Sequence, residues 1–231
     1  MKSIAIITAR GGSKRIPKKN IREFCGKPII AYSIEAAIHS GIFDEVMVST
    51  DSQEIAGIAK KYGAAVPFLR SDATSNDFAT TADVLKEVID RYKEEGKEFN
   101  VLCCIYPTAP FVTPEKLKAA KDKMIQSGVD SIMTVVQYSF PPQRAVLLKD
   151  DKISYQYPEF AKARSQDLEP IYHDCGQFYM CKVNSFLESN SVISSNTGAI
   201  VVPEEEVQDI DNYSDWNLAE IKYKTFMLKG R

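Results

Sequence analysis

Apolar residues along this chain come in two rhythms that take turns. Ile4-Ala5-Ile6-Ile7 is a continuous apolar run of the kind that marks a strand buried on both faces, and Val46-Met47-Val48-Ser49-Thr50 is a second. Between them, Pro28 opens a segment in which Ile29, Ile30, Ile34, Ala37 and Ile38 recur at helical spacing until Gly41. Asp51 or Ser52 then caps a helix carrying Ile55, Ile58 and Ala59, which stops at Gly63. Residues 66–69 read as a third strand, and Thr80 or Thr81 caps a helix that turns Val84, Leu85, Val88, Ile89 and Tyr92 inward. Residues 101–106 give a fourth strand, Pro114 starts a helix to about Gly128, and residues 131–138 give a fifth strand. Strands alternating with helices over short connections predict an α/β fold, a mostly parallel sheet with helices on both faces.

The alternation then breaks. Residues 139–170 hold four prolines and no sustained period, which suits an excursion inserted into one domain spanning 1–231. Sheet character returns with Gly176-Gln177-Phe178-Tyr179-Met180 and Ala199-Ile200-Val201-Val202, and Ser214 caps a last helix through Trp216, Leu218, Ile221 and Phe226. A length of 231 residues fits one such domain with a full core. The net charge of -2 gives no overall field for nucleic acid or membrane, so any basic feature is local and its partner is a small anion. Five cysteines without a Cys-x-x-Cys spacing read as free buried thiols in a reducing compartment. The first apolar run is too short for a secretory leader, and no stretch approaches a membrane span, so the expectation is a soluble cytoplasmic protein.

One stretch stands out chemically. Residues 10–20 follow the first strand and carry Arg10, Lys14, Arg15, Lys18 and Lys19 without one carboxylate. Gly11 and Gly12 allow close backbone approach, Pro17 stiffens the loop, and Ser13 and Asn20 add donors. At the carboxyl end of a strand in an α/β sheet, that is a polyphosphate cradle in outline. It has the spacing of neither a Walker A loop nor a dinucleotide fingerprint. Near the other end, Asp209-Ile210-Asp211 places two carboxylates on one side of an extended chain, where they suit a hard divalent cation or, more blandly, an acidic turn before a helix. Of the two histidines, His39 reads as surface and His173 as a pocket residue.

Four ordered motifs then bring in a family. Ile7-Thr8-Ala9-Arg10-Gly11-Gly12-Ser13-Lys14-Arg15-Ile16-Pro17-Lys18-Lys19-Asn20, Val48-Ser49-Thr50-Asp51, Tyr106-Pro107-Thr108-Ala109-Pro110 and Asp209-Ile210-Asp211 resemble the cytidylyltransferases that make CMP-sialic acids. Phe68-Leu69-Arg70-Ser71, Arg164-Ser165-Gln166-Asp167-Leu168-Glu169-Pro170 and Tyr172-His173-Asp174-Cys175-Gly176-Gln177-Phe178-Tyr179 are most similar to the pseudaminic acid branch.

The resemblance implies a Rossmann-like nucleotidyltransferase domain in which a nonulosonic acid's anomeric hydroxyl attacks the α-phosphate of CTP. It implies Arg10, Lys19 and Asp211 as catalytic residues, and Arg10, Gly11, Ser13, Lys14, Asn20, Arg70, Thr80 and Thr81 as the CTP site. Asp209 and Asp211 would hold Mg²⁺, and Tyr106, Arg164, Gln177 and Tyr179 would meet the sugar. Asp211 and a hydroxide on the metal are the two candidates for accepting the sugar's proton. The 139–170 excursion resembles the family's dimerisation extension, which implies a homodimer. One departure bears on substrate: sialic acid enzymes of the family carry Gln where this chain has Tyr106, and Ser where it has Ala109. A tyrosine cannot make the two-ended contacts of an amide. Sialic acid is therefore the poorer fit; the branch resemblance implies pseudaminic acid as the sugar, with legionaminic acid, N-acetylneuraminic acid and Kdo as alternatives, and a nucleotide-binding module without catalysis as the rival of another class.

Overall fold

A computed structural model of the chain describes residues 1–228; positions 229–231 of the expected domain lie outside the described residues. Strand β1 (Ser3–Thr8) leads through the basic loop to a small hairpin of β2 (Glu23–Phe24) and β3 (Lys27–Pro28). Helices α1 (Ile29–Ser40), α2 (Gln53–Lys61), α3 (Asp72–Ser75), α4 (Thr81–Glu94) and α5 (Pro114–Ser127) alternate with β4 (Glu45–Ser49), β5 (Val101–Ile105) and β6 (Ser131–Gln137). A separate hairpin, β7 (Val146–Lys149) and β8 (Lys152–Tyr155), fills the irregular region. Then come β9 (Tyr172–Lys182), α6 (Val183–Ser189), β10 (Thr197–Val201) and α7 (Tyr213–Lys222).

The main sheet has the order β10-β6-β9-β5-β1-β4, and only β9 runs against the others. The mostly parallel α/β sheet that the alternation predicts is present. The continuous apolar run of β1 follows from burial on both sides. Ala5 and Ile7 pack with residues of α1, α2 and α5, whereas Ile4 and Ile6 pack with residues of α4 and α6. Ser52, Thr80 and Thr113 cap α2, α4 and α5, and Gly41 and Gly128 close α1 and α5 in the left-handed conformation.

Three sequence expectations change. Residues 66–69 form no strand: the chain pairs with β4 through Ala65 alone, and Pro67, with no N–H to donate, interrupts the ladder. Asn212, not Ser214, caps α7 through a reciprocal box with Asp215. That helix stops at Lys222, and a π-turn over Tyr223–Met227 carries the chain on to Phe226.

A third cluster positions the site. Phe24, Tyr32, Trp216 and Tyr223 meet edge to face with ring centroids 5.0–5.6 Å apart, tying α7 to α1 and the small hairpin. Ile16 of the basic loop and Ile210 of the acidic segment are buried in the same cluster. Two isoleucines from opposite ends of the chain thus draw the basic loop and the acids together.

Candidate active site

The carboxyl ends of β1, β4 and β5 converge on one edge of the sheet, and the loops that follow them build the site. The basic loop is shaped from within. Gly11 N–H donates to Asp51 Oδ1 at 2.7 Å, and a Cβ at Gly11 would lie 3.2 Å from Ser52 Cβ, tighter than a side chain tolerates without movement. Asn20, buried, donates from Nδ2 to the Arg10 carbonyl at 2.9 Å. Lys18 adopts a left-handed φ of 54° at the start of a 3-10 turn over Lys19–Ile21. The Gly11 N–H and the Asn20 amide therefore also fold the loop from within.

The cations point across the opening. Arg10 Nη1 lies 2.8 Å from Asp77 Oδ1, and Lys14 Nζ lies 2.6 Å from Asp77 Oδ2. The hydrogen bonds from Lys14 and then Arg10 hold the Asp77 carboxyl below the usual carboxylate range. Arg15 Nη2 sits 2.8 Å from Asp211 Oδ1, and Lys19 Nζ is 3.8 Å from the same oxygen while donating to the Ile210 carbonyl at 2.6 Å.

The acidic segment belongs to no strand, yet the expected alternation survives: Ile210 is buried, while Asp209 and Asp211 both face the cleft. That cleft, about 540 Å³, is lined by Arg10, Ser13, Lys14, Lys19, Asn20, Asp209 and Asp211, with Tyr106 from the loop after β5. Among the described residues no group of three or more His, Cys, Asp or Glu converges as a metal cage. Two carboxylates beside a polyphosphate cradle are nonetheless the protein share that a hard divalent cation takes when phosphate oxygens and water complete its octahedron.

The remaining expected residues are not among the cleft's lining. Arg70 is buried against the end of β4, where Nε donates to Ser49 Oγ at 3.1 Å and Nη2 to the Ser49 carbonyl at 2.8 Å. Thr80 is committed to the α4 capping box with Asp83, and Thr81 hydrogen-bonds with the Tyr106 hydroxyl. Burial pushes that hydroxyl's pKa up. Tyr179 is buried edge-on to Tyr106 at 5.6 Å and donates to Asp174. Gln177, buried, donates to the Glu206 carbonyl at 2.6 Å and is not among the cleft's lining residues. Arg164 stands exposed on the excursion, paired with Asp167 at 2.6 Å. Two features had no sequence signal: Asp77, whose loop faces the cradle only in the fold, and the pairing of Arg15 with Asp211 near the other end of the chain.

A family model described as Cytidylyltransferase matches residues 4–189. The chain belongs to the cytidylyltransferase family. Its similarity to the pseudaminic acid cytidylyltransferase of Campylobacter jejuni serotype O:2 is 42% identity over 97% of both chains. The CMP-N,N'-diacetyllegionaminic acid synthase of Legionella pneumophila is 36% identical over 95% of each. A solved CMP:2-keto-3-deoxy-manno-octonic acid synthetase, complexed with CTP, superposes with a TM-score of 0.70 at 17% identity, covering 98% of this chain and 99% of that one. At that identity the match speaks to the fold. This cytidylyltransferase thus keeps its basic loop and its acid pair on two sides of one cleft.

Proposed function

We propose that this cytidylyltransferase transfers CMP from CTP to the anomeric hydroxyl of a nonulosonic acid, with pseudaminic acid as the substrate, and releases pyrophosphate. One observation carries the reading: Lys19 of the basic loop and Asp211 of the acid pair share one cleft. The 42% identity to the Campylobacter enzyme supports the choice of sugar.

In this reading Arg10, Ser13, Lys14 and Lys19 bind the triphosphate, and Gly11 and Asn20 hold the loop that carries them. Charge grows on the α-phosphate and on the departing pyrophosphate as the sugar oxygen adds, and fixed cations favour that state over the ground state. Asp209 and Asp211 hold Mg²⁺, which supplies further screening of phosphate charge when bound. Arg15 gives up its bond to Asp211 as the site fills, and Asp211 is our candidate for the acceptor of the anomeric proton. Arg70, Thr80 and Thr81 are the residues we assign to the cytidine, and Tyr106, which lines the cleft and stacks edge-on with Tyr179, is the one we assign to the sugar. The exposed apolar β7–β8 hairpin supports a homodimer, and the unbonded cysteines suit a reducing cytoplasm. No helix among the described residues is long and apolar enough to cross a membrane.

The test is a panel of purified acid sugars with CTP and Mg²⁺, read by product mass and pyrophosphate release. CMP-pseudaminic acid is the expected product. Turnover of Kdo, legionaminic acid or N-acetylneuraminic acid in its place overturns the choice of sugar, and CTP binding without turnover of any sugar overturns the enzyme reading.

A further inference from the structure

Beyond a 3-10 turn over Glu204–Glu206, in which Val207 N–H donates to the Glu204 carbonyl, residues 204–211 reach the cleft without a strand to hold them, so most of their carbonyls need donors from elsewhere. Side chains supply several. Lys222 Nζ, from α7, donates to the carbonyls of Glu204 at 3.1 Å and Val207 at 2.7 Å. Gln177 Nε2, from β9, donates to the carbonyl of Glu206 at 2.6 Å, and Lys19 Nζ to that of Ile210 at 2.6 Å. The Glu206 side chain is fixed as well: its Oε2 lies 2.6 Å from Lys116 Nζ, which also donates to the Phe111 carbonyl at 2.8 Å.

Gln177 is the costly member of this set. It is 3% exposed, and its Oε1 finds no partner among the described residues. A buried amide with an empty acceptor weighs against folding, and an apolar side chain of the same size would fill the place without that penalty. What the amide contributes, and methionine cannot, is the bond to the Glu206 carbonyl, a short step before Asp209 in the chain.

We propose that Gln177 is a positioning residue for the acid pair. With Lys222 on the other side, it fixes the backbone that carries Asp209 and Asp211, so that both carboxylates face the same point in the cleft. Gln177 touches neither substrate nor cation and acts through the main chain alone. The inference rests on the proposed metal-holding role of Asp209 and Asp211.

Mn²⁺ is the probe, titrated into the full-length protein with CTP and followed by electron paramagnetic resonance, which reports the bound ion without turnover. Gln177→Met keeps the volume and removes the donor; it is expected to weaken Mn²⁺ retention about tenfold, the lower end of effects seen when partners behind a metal site are lost. CTP affinity in EDTA is expected to stay at the wild-type value. Lys222→Met loosens the same segment from its accessible side and is expected to shift retention the same way by a smaller factor, which keeps the question answerable if Gln177→Met does not fold. Thr134→Val, another buried polar position on the neighbouring β6, controls for packing and is expected to move the melting temperature without moving retention. If Gln177→Met and Lys222→Met both retain Mn²⁺ as the wild type does, while Asp211→Ala loses it, this inference is wrong and the metal reading stands. If the wild-type protein retains no Mn²⁺ with CTP, the metal reading fails and takes the inference with it.

Discussion

Ile16 of the basic loop and Ile210 of the acidic segment are buried together, each 1% exposed, in the cluster that also holds Phe24, Phe111 and Trp216. The site's charges do not assemble themselves, since like cations repel and exposed ion pairs contribute little. Apolar burial brings the two segments together, and the charges are carried along. Ile210→Ala is accordingly expected to lower the unfolding free energy by about 2–4 kcal/mol, and Ile210→Val by about 1 kcal/mol, in denaturant titrations. Turnover should fall with the Ala variant even under conditions where it is fully folded. Unchanged kcat in folded Ile210→Ala would mean that the acids find their place without the cluster.

Lys19 combines a cleft-facing charge with a bond to the Ile210 carbonyl, which makes it the cation least replaceable by its neighbours. Lys19→Met is expected to lower kcat about 10²-fold or more, the scale for losing a donor aimed at developing charge, with a smaller change in the KM for CTP. Steady-state kinetics with saturating sugar separate the two. A change confined to KM would assign Lys19 to ground-state binding only.

Asp77 engages Arg10 and Lys14 at once, so a triphosphate has to displace one carboxylate to reach two cations. Asp77→Asn removes the competing charge and keeps the shape. A fall of roughly two- to fivefold in the KM for CTP is expected, with kcat retained, in keeping with the modest strength of exposed pairs. The pH dependence has a definite sign. The folded pKa of Asp77 is depressed, so its ion pairs persist above the ordinary carboxylate range and are lost only as pH falls through the lowered value. The advantage of Asp77→Asn should therefore be constant from about pH 6 to 8. A rise in KM would show that Asp77 helps to build the cradle.

Removal of divalent cations tests the acid pair directly. EDTA is expected to abolish turnover while CTP still binds through the loop cations, as read by calorimetry, and Mg²⁺ should restore the rate. Asp209→Ala and Asp211→Ala should each cost turnover in excess Mg²⁺. Turnover that survives EDTA would remove the metal from the account.

Much of this molecule is legible where its cause is local. β1, β4, β5 and β6 announce themselves as apolar runs, and Pro114 as a helix start, because strand burial and helix starts are decided within a few residues. The basic loop and the acid pair are legible for the same reason, as unusual densities of one charge. What sequence does not disclose depends on which segments the fold sets face to face. The reversed direction of β9, the Asp77 bridge and the Arg15–Asp211 pair all belong to that class. Gln177 is the instructive case: its place in a motif suggests a sugar contact, but the packing of residues 204–207 against β9 commits its amide to the Glu206 carbonyl.

Both strands of the β7–β8 hairpin are exposed along their whole length. Leu148 is 73% and Ile153 68% exposed, and a two-stranded ribbon is marginal in water unless something packs against it. A second copy of the chain is the proposed cover, and Leu148→Asp with Ile153→Asp is expected to turn a dimer into monomers in sedimentation. Arg164 is exposed and not among the cleft's lining residues, and we propose that in such a dimer it serves the partner's site. Subunits carrying Arg164→Ala and Asp211→Ala, each nearly inactive alone, should regain activity when unfolded together and refolded. Random pairing makes half the dimers mixed, each with one intact site, so recovery approaches about a quarter of the wild-type rate. No recovery would place Arg164 in the cleft of its own chain, and a wild-type protein that sediments as a monomer would remove the dimer.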